Sequence, residues 1–188
     1  MGQIIFFILI MIWVILDIRV GVIGKKTLDK KKVIEKKSKY IIIICIVIGM
    51  SFGPIAFSEF RNAFKDTFDF IRYVGLLVIG LGLSIRVIAI RQLGQFFSDH
   101  VSINHETKFF NKGLYKIIRH PSYLGEILIF LGVAIVYNYV MASMVALIIP
   151  TLGFIYRIEV EEKALALHYK KDYKNYQEQT NKLIPKIY

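Results

Sequence analysis

Five apolar runs, set apart by polar or basic joints, leave this 188-residue chain few folds to choose from. They span residues 4–23, 40–57, 70–90, 122–137 and 140–158. A helix rises about 1.5 Å per residue and a bilayer's hydrocarbon layer is about 30 Å thick, so ~20 residues cross it. The first, third and fifth runs have that length. The second is slightly short but uncharged, and the fourth needs local thinning of the bilayer or burial against its neighbours. Backbone groups in lipid must be satisfied within their own segment, which makes the runs helices rather than strands. At 55% hydrophobic residues, with a mean hydropathy of +0.53, the chain is too apolar for an ordinary soluble domain. The expected fold is an all-α polytopic membrane bundle forming one domain over 1–188. Residues 1–90 would be scaffold helices, and 91–188 would hold a connecting loop, helices four and five and a C-terminal helix.

The N-terminus does not read as a cleavable signal. No Lys or Arg precedes Ile4, and Asp17, Arg19 and a Lys-rich joint follow where small residues would mark a cleavage site. Loop charge gives an orientation. The joint at 24–39 carries eight Lys against Asp29 and Glu35, whereas that at 58–69 has Arg61 and Lys65 beside three acids. The third connection holds Arg91, Lys108, Lys112, Lys116 and Arg119. The fourth, Asn138-Tyr139, has no charge, and the tail from Arg157 has seven basic residues. This alternation puts the N-terminus outside and the C-terminus in the cytoplasm. The formal net charge of +11 then belongs beside anionic lipid headgroups, and no nucleic-acid partner is expected. Cys45, the single cysteine, reads as a small core residue.

In the third run, Gly75, Gly80 and Gly82 permit close helix approach. Arg72 and Arg86 are expected to snorkel to the two membrane surfaces, with a site role the alternative for Arg86. The connection at 91–120 is long for a loop without function, and Gly113 offers a turn before Leu114-Tyr115. Pro121 suits the first turn of helix four, where a missing N–H costs nothing. Residues 159–179 read as a polar helix whose stripe of Leu165, Tyr169, Tyr173 and Tyr176 packs on a surface or closes over a site.

Two polar clusters then meet one membrane face. Arg119-His120-Pro121-Ser122-Tyr123-Leu124-Gly125 opens helix four, and Arg157 with Glu161 and Glu162 ends run five. A helix N-terminus favours anionic groups. Carboxylates bind ribose diols well, and Arg binds carboxylates through its bidentate fork. Arg157 and Glu161, four residues apart on one face, either pair or serve a ligand. No GxGxxG, Walker, CxxC, HExxH or GxSxG pattern occurs, and no metal is expected.

The run Gly113-Leu114-Tyr115, the Arg119–Gly125 segment, Arg157, Glu161-Glu162, Leu165, Tyr173, Tyr176 and Ile184-Pro185 together resemble the signature of the isoprenylcysteine carboxyl methyltransferase family, relatives of the membrane phospholipid N-methyltransferases. The resemblance covers about residues 93–185, with Leu93-Gly94, Phe97 and Val101 similar to a further family run. It implies S-adenosylmethionine bound at the cytoplasmic ends of the last helices, without a Rossmann domain, and a lipophilic acceptor drawn from the membrane. By position Tyr115, His120, Pro121, Ser122, Tyr123, Glu161 and Glu162 match cofactor-binding residues, and Arg157 and Glu161 match catalytic ones. In the loop, His105 and Phe109-Phe110 depart from the family pattern around 107–110. The resemblance leaves open a phospholipid amine or a lipid phenol or pyrone hydroxyl as acceptor. It also leaves open a sterol-type membrane reductase, which would use a nicotinamide cofactor.

Overall fold

A computed structural model describes residues 1–27, 32–35, 37–51, 53, 70–94, 101–103 and 110–185. The chain is an all-α integral membrane bundle with one small ribbon between connections. Its described helices are α1 (Gly2–Thr27), α2 (Lys37–Ser51), α3 (Phe70–Leu93), α4 (Pro121–Tyr137) and α5 (Val140–Gln179), and a 3-10 turn spans Gly113–Lys116. Among the described residues three helices are long and apolar enough to cross a membrane: Gly2–Val22 of α1, α3 and α5. At 17 and 15 residues, α4 and α2 fall short of that length, as their runs foretold. Strands β1 (Lys32–Glu35) and β2 (Val101–Ile103) pair antiparallel, Lys32 opposite Ile103, which ties the Lys-rich joint to the third connection. His100, His105 and residues 107–109 lie outside the described residues.

Glycines set the central helix pair. On α3, Gly75 and Gly82 face Gly132 and Gly125 of antiparallel α4. A Cβ added at Gly82 would come within 2.6 Å of the Gly125 carbonyl oxygen, and one at Gly132 equally close to that of Gly75. The two pairs are seven residues apart on each helix, so one seam of bare backbone runs along the contact. Gly80, expected to share this role, faces open space. Elsewhere Gly49 of α2 packs on Pro150 of α5, and Gly153 of α5 packs on Cys45. Asn138 turns α4 into α5 with a left-handed backbone (φ 47°), a conformation that Asn tolerates better than most residues.

Two expectations fail here. The membrane run and the polar helix after it are one element, which runs on past residue 158 and breaks only at Lys170 (φ 44°, ψ −115°). That break parts the aromatic stripe: Tyr173 and Tyr176 are buried beyond it, while Leu165 and Tyr169 before it are half-buried. Arg72 and Arg86 are buried rather than snorkelling. For Arg86 the cause is an ion-pair partner on each neighbouring helix, which makes an inward guanidinium cheaper than one stretched to the surface.

Candidate active site

Three polar assemblies meet around α4. The first is a buckle on Glu162. Arg119 Nε donates to Glu162 Oε1 at 2.6 Å, with Nη2 at 3.3 Å from Oε2. His120 Nε2 and the Tyr173 hydroxyl also reach Oε1, at 2.9 and 3.1 Å, and Gln177 Nε2 donates to Oε2 at 2.8 Å. In a straight helix Tyr173 would stand ~16 Å along the axis from Glu162. The break at Lys170 brings it back. The chain beyond α5 then runs beside α4's start, where Arg119 N donates to Asn181 O (2.8 Å) and His120 N to Lys182 O (3.0 Å).

Burial alone would raise the Glu162 carboxyl. Hydrogen bonds from His120 and Arg119, the charge of His120 and the bond from Gln177 outweigh it and hold the group down to about 2. Burial pushes the Tyr173 phenol up, so it keeps its proton and acts as donor to Glu162. A carboxyl depressed below its ordinary 4.5 stabilises the fold in full above that pH, and the contribution is lost as pH falls toward 2. Melting temperature is therefore expected to drop below about pH 4.5. Glu162→Gln should flatten that drop and cost ~3–5 kcal/mol at pH 7, because Arg119 is left buried without its anion.

The second assembly lies one turn along α4. The Tyr123 hydroxyl donates to Glu161 Oε2 at 2.9 Å and accepts from Arg157 Nε at 3.3 Å. Arg157, only 2% exposed, also donates through Nη1 to the fully buried Ser38 of α2. Tyr123 therefore bridges the guanidinium and carboxylate that the sequence offered as a direct pair. Among the described residues Glu161 Oε1 has no hydrogen-bond partner.

The third assembly escaped the sequence reading. Arg86 contacts Asp17 Oδ1 of α1 through Nε (3.0 Å) and Nη2 (2.5 Å). Its Nη1 reaches Glu126 Oε1 (2.7 Å) and Ser122 Oγ (3.0 Å). Trp13 Nε1 donates to Glu126 Oε2 at 2.9 Å. The signal was present: a carboxylate within an apolar membrane run is costly, and so marks a function or a partner.

A cavity of about 370 Å³ joins the second and third assemblies. Val14, Ile18, Ile42, Ile46, Val47 and Phe154 wall it, and Asp17, Lys39, Arg86, Tyr123, Glu126 and Arg157 are its charged or hydroxyl-bearing lining. Helices α1 and α2, expected only as scaffold, thus supply much of its wall.

The site residues foreseen from sequence divide among these assemblies. Arg157, Tyr123 and Glu161 come together beside the cavity. His120 and Glu162 meet in the buckle, where Glu162 has four protein partners. The Ser122 hydroxyl is held by Arg86, Pro121 is buried at α4's first turn, and the Tyr115 hydroxyl points at the Ala89 carbonyl (3.5 Å). No group of three or more His, Cys, Asp or Glu side chains suited to a metal occurs among the described residues.

Comparison with known proteins agrees with the fold. A family model described as isoprenylcysteine carboxyl methyltransferase (ICMT) family matches residues 73–167. A probable protein-S-isoprenylcysteine O-methyltransferase of Oryza sativa subsp. indica is 27% identical over 145 residues, covering 75% of this chain and 76% of that protein. The protein-S-isoprenylcysteine O-methyltransferase of Saccharomyces cerevisiae is 27% identical over 150 residues, covering 79% and 61%. Among solved structures, the eukaryotic intramembrane Ras methyltransferase ICMT without a monobody superposes with a TM-score of 0.56 at 24% identity. That match covers 77% of this chain, which spans half the length of the solved one.

Proposed function

The chain belongs to the isoprenylcysteine carboxyl methyltransferase family, and from that premise we propose that it moves a methyl group from S-adenosylmethionine to the carboxylate of a lipophilic acceptor, a prenylated cysteine in the first instance, at the cytoplasmic membrane face. The observation that carries this reading is the cavity itself: apolar walls suited to a lipid tail end at the buried Arg157 and at Tyr123, whose hydroxyl passes on to Glu161.

The residues fit the cofactor. Glu161 has an oxygen to spare for a ribose hydroxyl, and the Tyr123 bond holds its carboxylate in place. When bound, S-adenosylmethionine supplies a methyl group on an electron-poor sulfur. The rest falls to the protein. An acceptor carboxylate is ionised at neutral pH, so the site needs no strong base. Arg157 turns that carboxylate toward the methyl carbon, and the apolar walls keep water out. Glu162, His120 and Arg119 act at one remove as positioning residues: their buckle fixes the first turn of α4, on which Tyr123 stands. The same loop-charge argument that sets the N-terminus outside brings this end of the bundle to the cytosol.

Thermal melts of the detergent-purified protein test the class before any acceptor is known. S-adenosylhomocysteine at ~100 times its Kd should add about 2.7 kcal/mol of stability, and NADPH none. No response to S-adenosylhomocysteine would remove the cofactor assignment, and a response to NADPH alone would favour a reductase.

A further inference from the structure

We infer that Ser38, on the first turn of α2, is a positioning residue for methyl transfer: its hydroxyl fixes the plane in which the Arg157 guanidinium meets the acceptor carboxylate. This role rests on the acceptor reading above. Arg157 is gripped from two helices. Its Nε donates to the Tyr123 hydroxyl of α4 at 3.3 Å, and its Nη1 donates to Ser38 Oγ of α2. A single such bond lets a guanidinium swing about the bond's axis. Two bonds on different nitrogens fix the plane as well as the place, and a planar fork binds a carboxylate best within its own plane. Both members of the second bond are buried, Arg157 at 2% exposure and Ser38 at 0%.

Helix α2 has other means of staying on α5. Residues 38, 42, 45 and 49 form one stripe, at steps of four, three and four. Along it Gly49 packs on Pro150, where an added Cβ would come within 2.6 Å, and Cys45 packs on Gly153. Small groups close the seam there, and alanine at position 38 would close it in the same way. The Ser38 hydroxyl instead meets Arg157, one turn of α5 beyond Gly153. Angle matters at that point. A carboxylate oxygen bonds to the methyl carbon as the sulfur–methyl bond breaks and the thioether leaves, so the oxygen must stand in line behind that bond. A helix that brings nothing of its own to the reacting atoms thereby sets the aim of a residue that does.

The test is methyl transfer from S-adenosylmethionine to N-acetyl-S-farnesylcysteine by the full-length protein in detergent. Ser38→Ala should lower kcat about tenfold, since small misplacements of reacting atoms cost that much or more. KM for the acceptor should stay within about twofold, because the buried charge and the Tyr123 bond persist. Ser38→Cys, which fills the space with a weak hydrogen-bonding group, should fall as far, whereas Ser38→Thr should recover most of the rate. Adding Ser38→Ala to Arg157→Ala should slow transfer no further, because the two residues act as one unit. Wild-type kcat in Ser38→Cys, or a further loss in the double variant, would make the hydroxyl a matter of packing and overturn the assignment, with the methyltransferase reading left standing. No transfer by the wild-type protein would overturn both. The cysteine variant decides even if the alanine one fails to fold.

Discussion

Arg157→Ala is expected to lower kcat/KM for the acceptor by about 10²–10³-fold, the scale on which loss of one orienting donor acts in other enzymes. Arg157 is buried at the cavity's polar end and is fixed from two sides, by the Tyr123 hydroxyl and by Ser38. Alanine removes the group proposed to turn the carboxylate and leaves Tyr123 with Glu161 alone. Arg157→Lys should recover little, because an ammonium cannot hold Tyr123, Ser38 and an acceptor carboxylate in one plane. Radiolabelled methyl transfer followed by mild base hydrolysis checks the product, since esters release methanol. Melting temperature and S-adenosylhomocysteine affinity should change far less than turnover. A parallel collapse of all three would make Arg157 a structural residue and take the catalytic assignment away.

The second large effect concerns the fold. Gly82→Leu should destabilise the protein by about 3 kcal/mol or more, at the upper end of overpacking costs. A new Cβ there meets the Gly125 carbonyl oxygen at 2.6 Å and the Ile129 amide nitrogen at 2.9 Å. Both are backbone atoms inside a helix, so neither can step aside as a side-chain tip would. The two helices must part, and α4 carries Tyr123 and Glu126 with it. Gly80→Leu on the same helix is the matched control, since that position faces open space. Unequal melting temperatures for the pair are the expected result, and equal ones would remove the glycine seam as the basis of the α3–α4 contact.

Much of this was legible in the chain. The helical character of the five described runs, the short fourth helix, the Pro121 start and the minimal Asn138-Tyr139 turn follow from local pattern. So does the meeting of Tyr123, Arg157 and Glu161, because the hairpin of α4 and α5 returns the chain to the same face. What escaped depends on distant partners. Arg86 finds Asp17 across 69 positions, Trp13 finds Glu126 across 113, and Arg157 finds Ser38 across 119. No window of the sequence holds both members of such a pair, so snorkelling was the natural expectation for Arg86. The break at Lys170 was hidden for a different reason: no Gly or Pro marks it, and the bond from Tyr173 to Glu162 that accompanies it joins residues a straight helix would hold apart.

The seat of Arg119 has a consequence for the order in which the enzyme matures. Its guanidinium binds the Thr180 carbonyl, 61 positions further on, and its own amide waits for Asn181. At ribosomal speeds of roughly 5–20 residues per second, the opening turn of α4 leaves the ribosome several seconds before the strand that fastens it. A nascent chain halted short of Thr180 would hold its membrane helices yet lack the fastening of the candidate site, so the proposed methyl transfer is expected to become possible only late in biosynthesis.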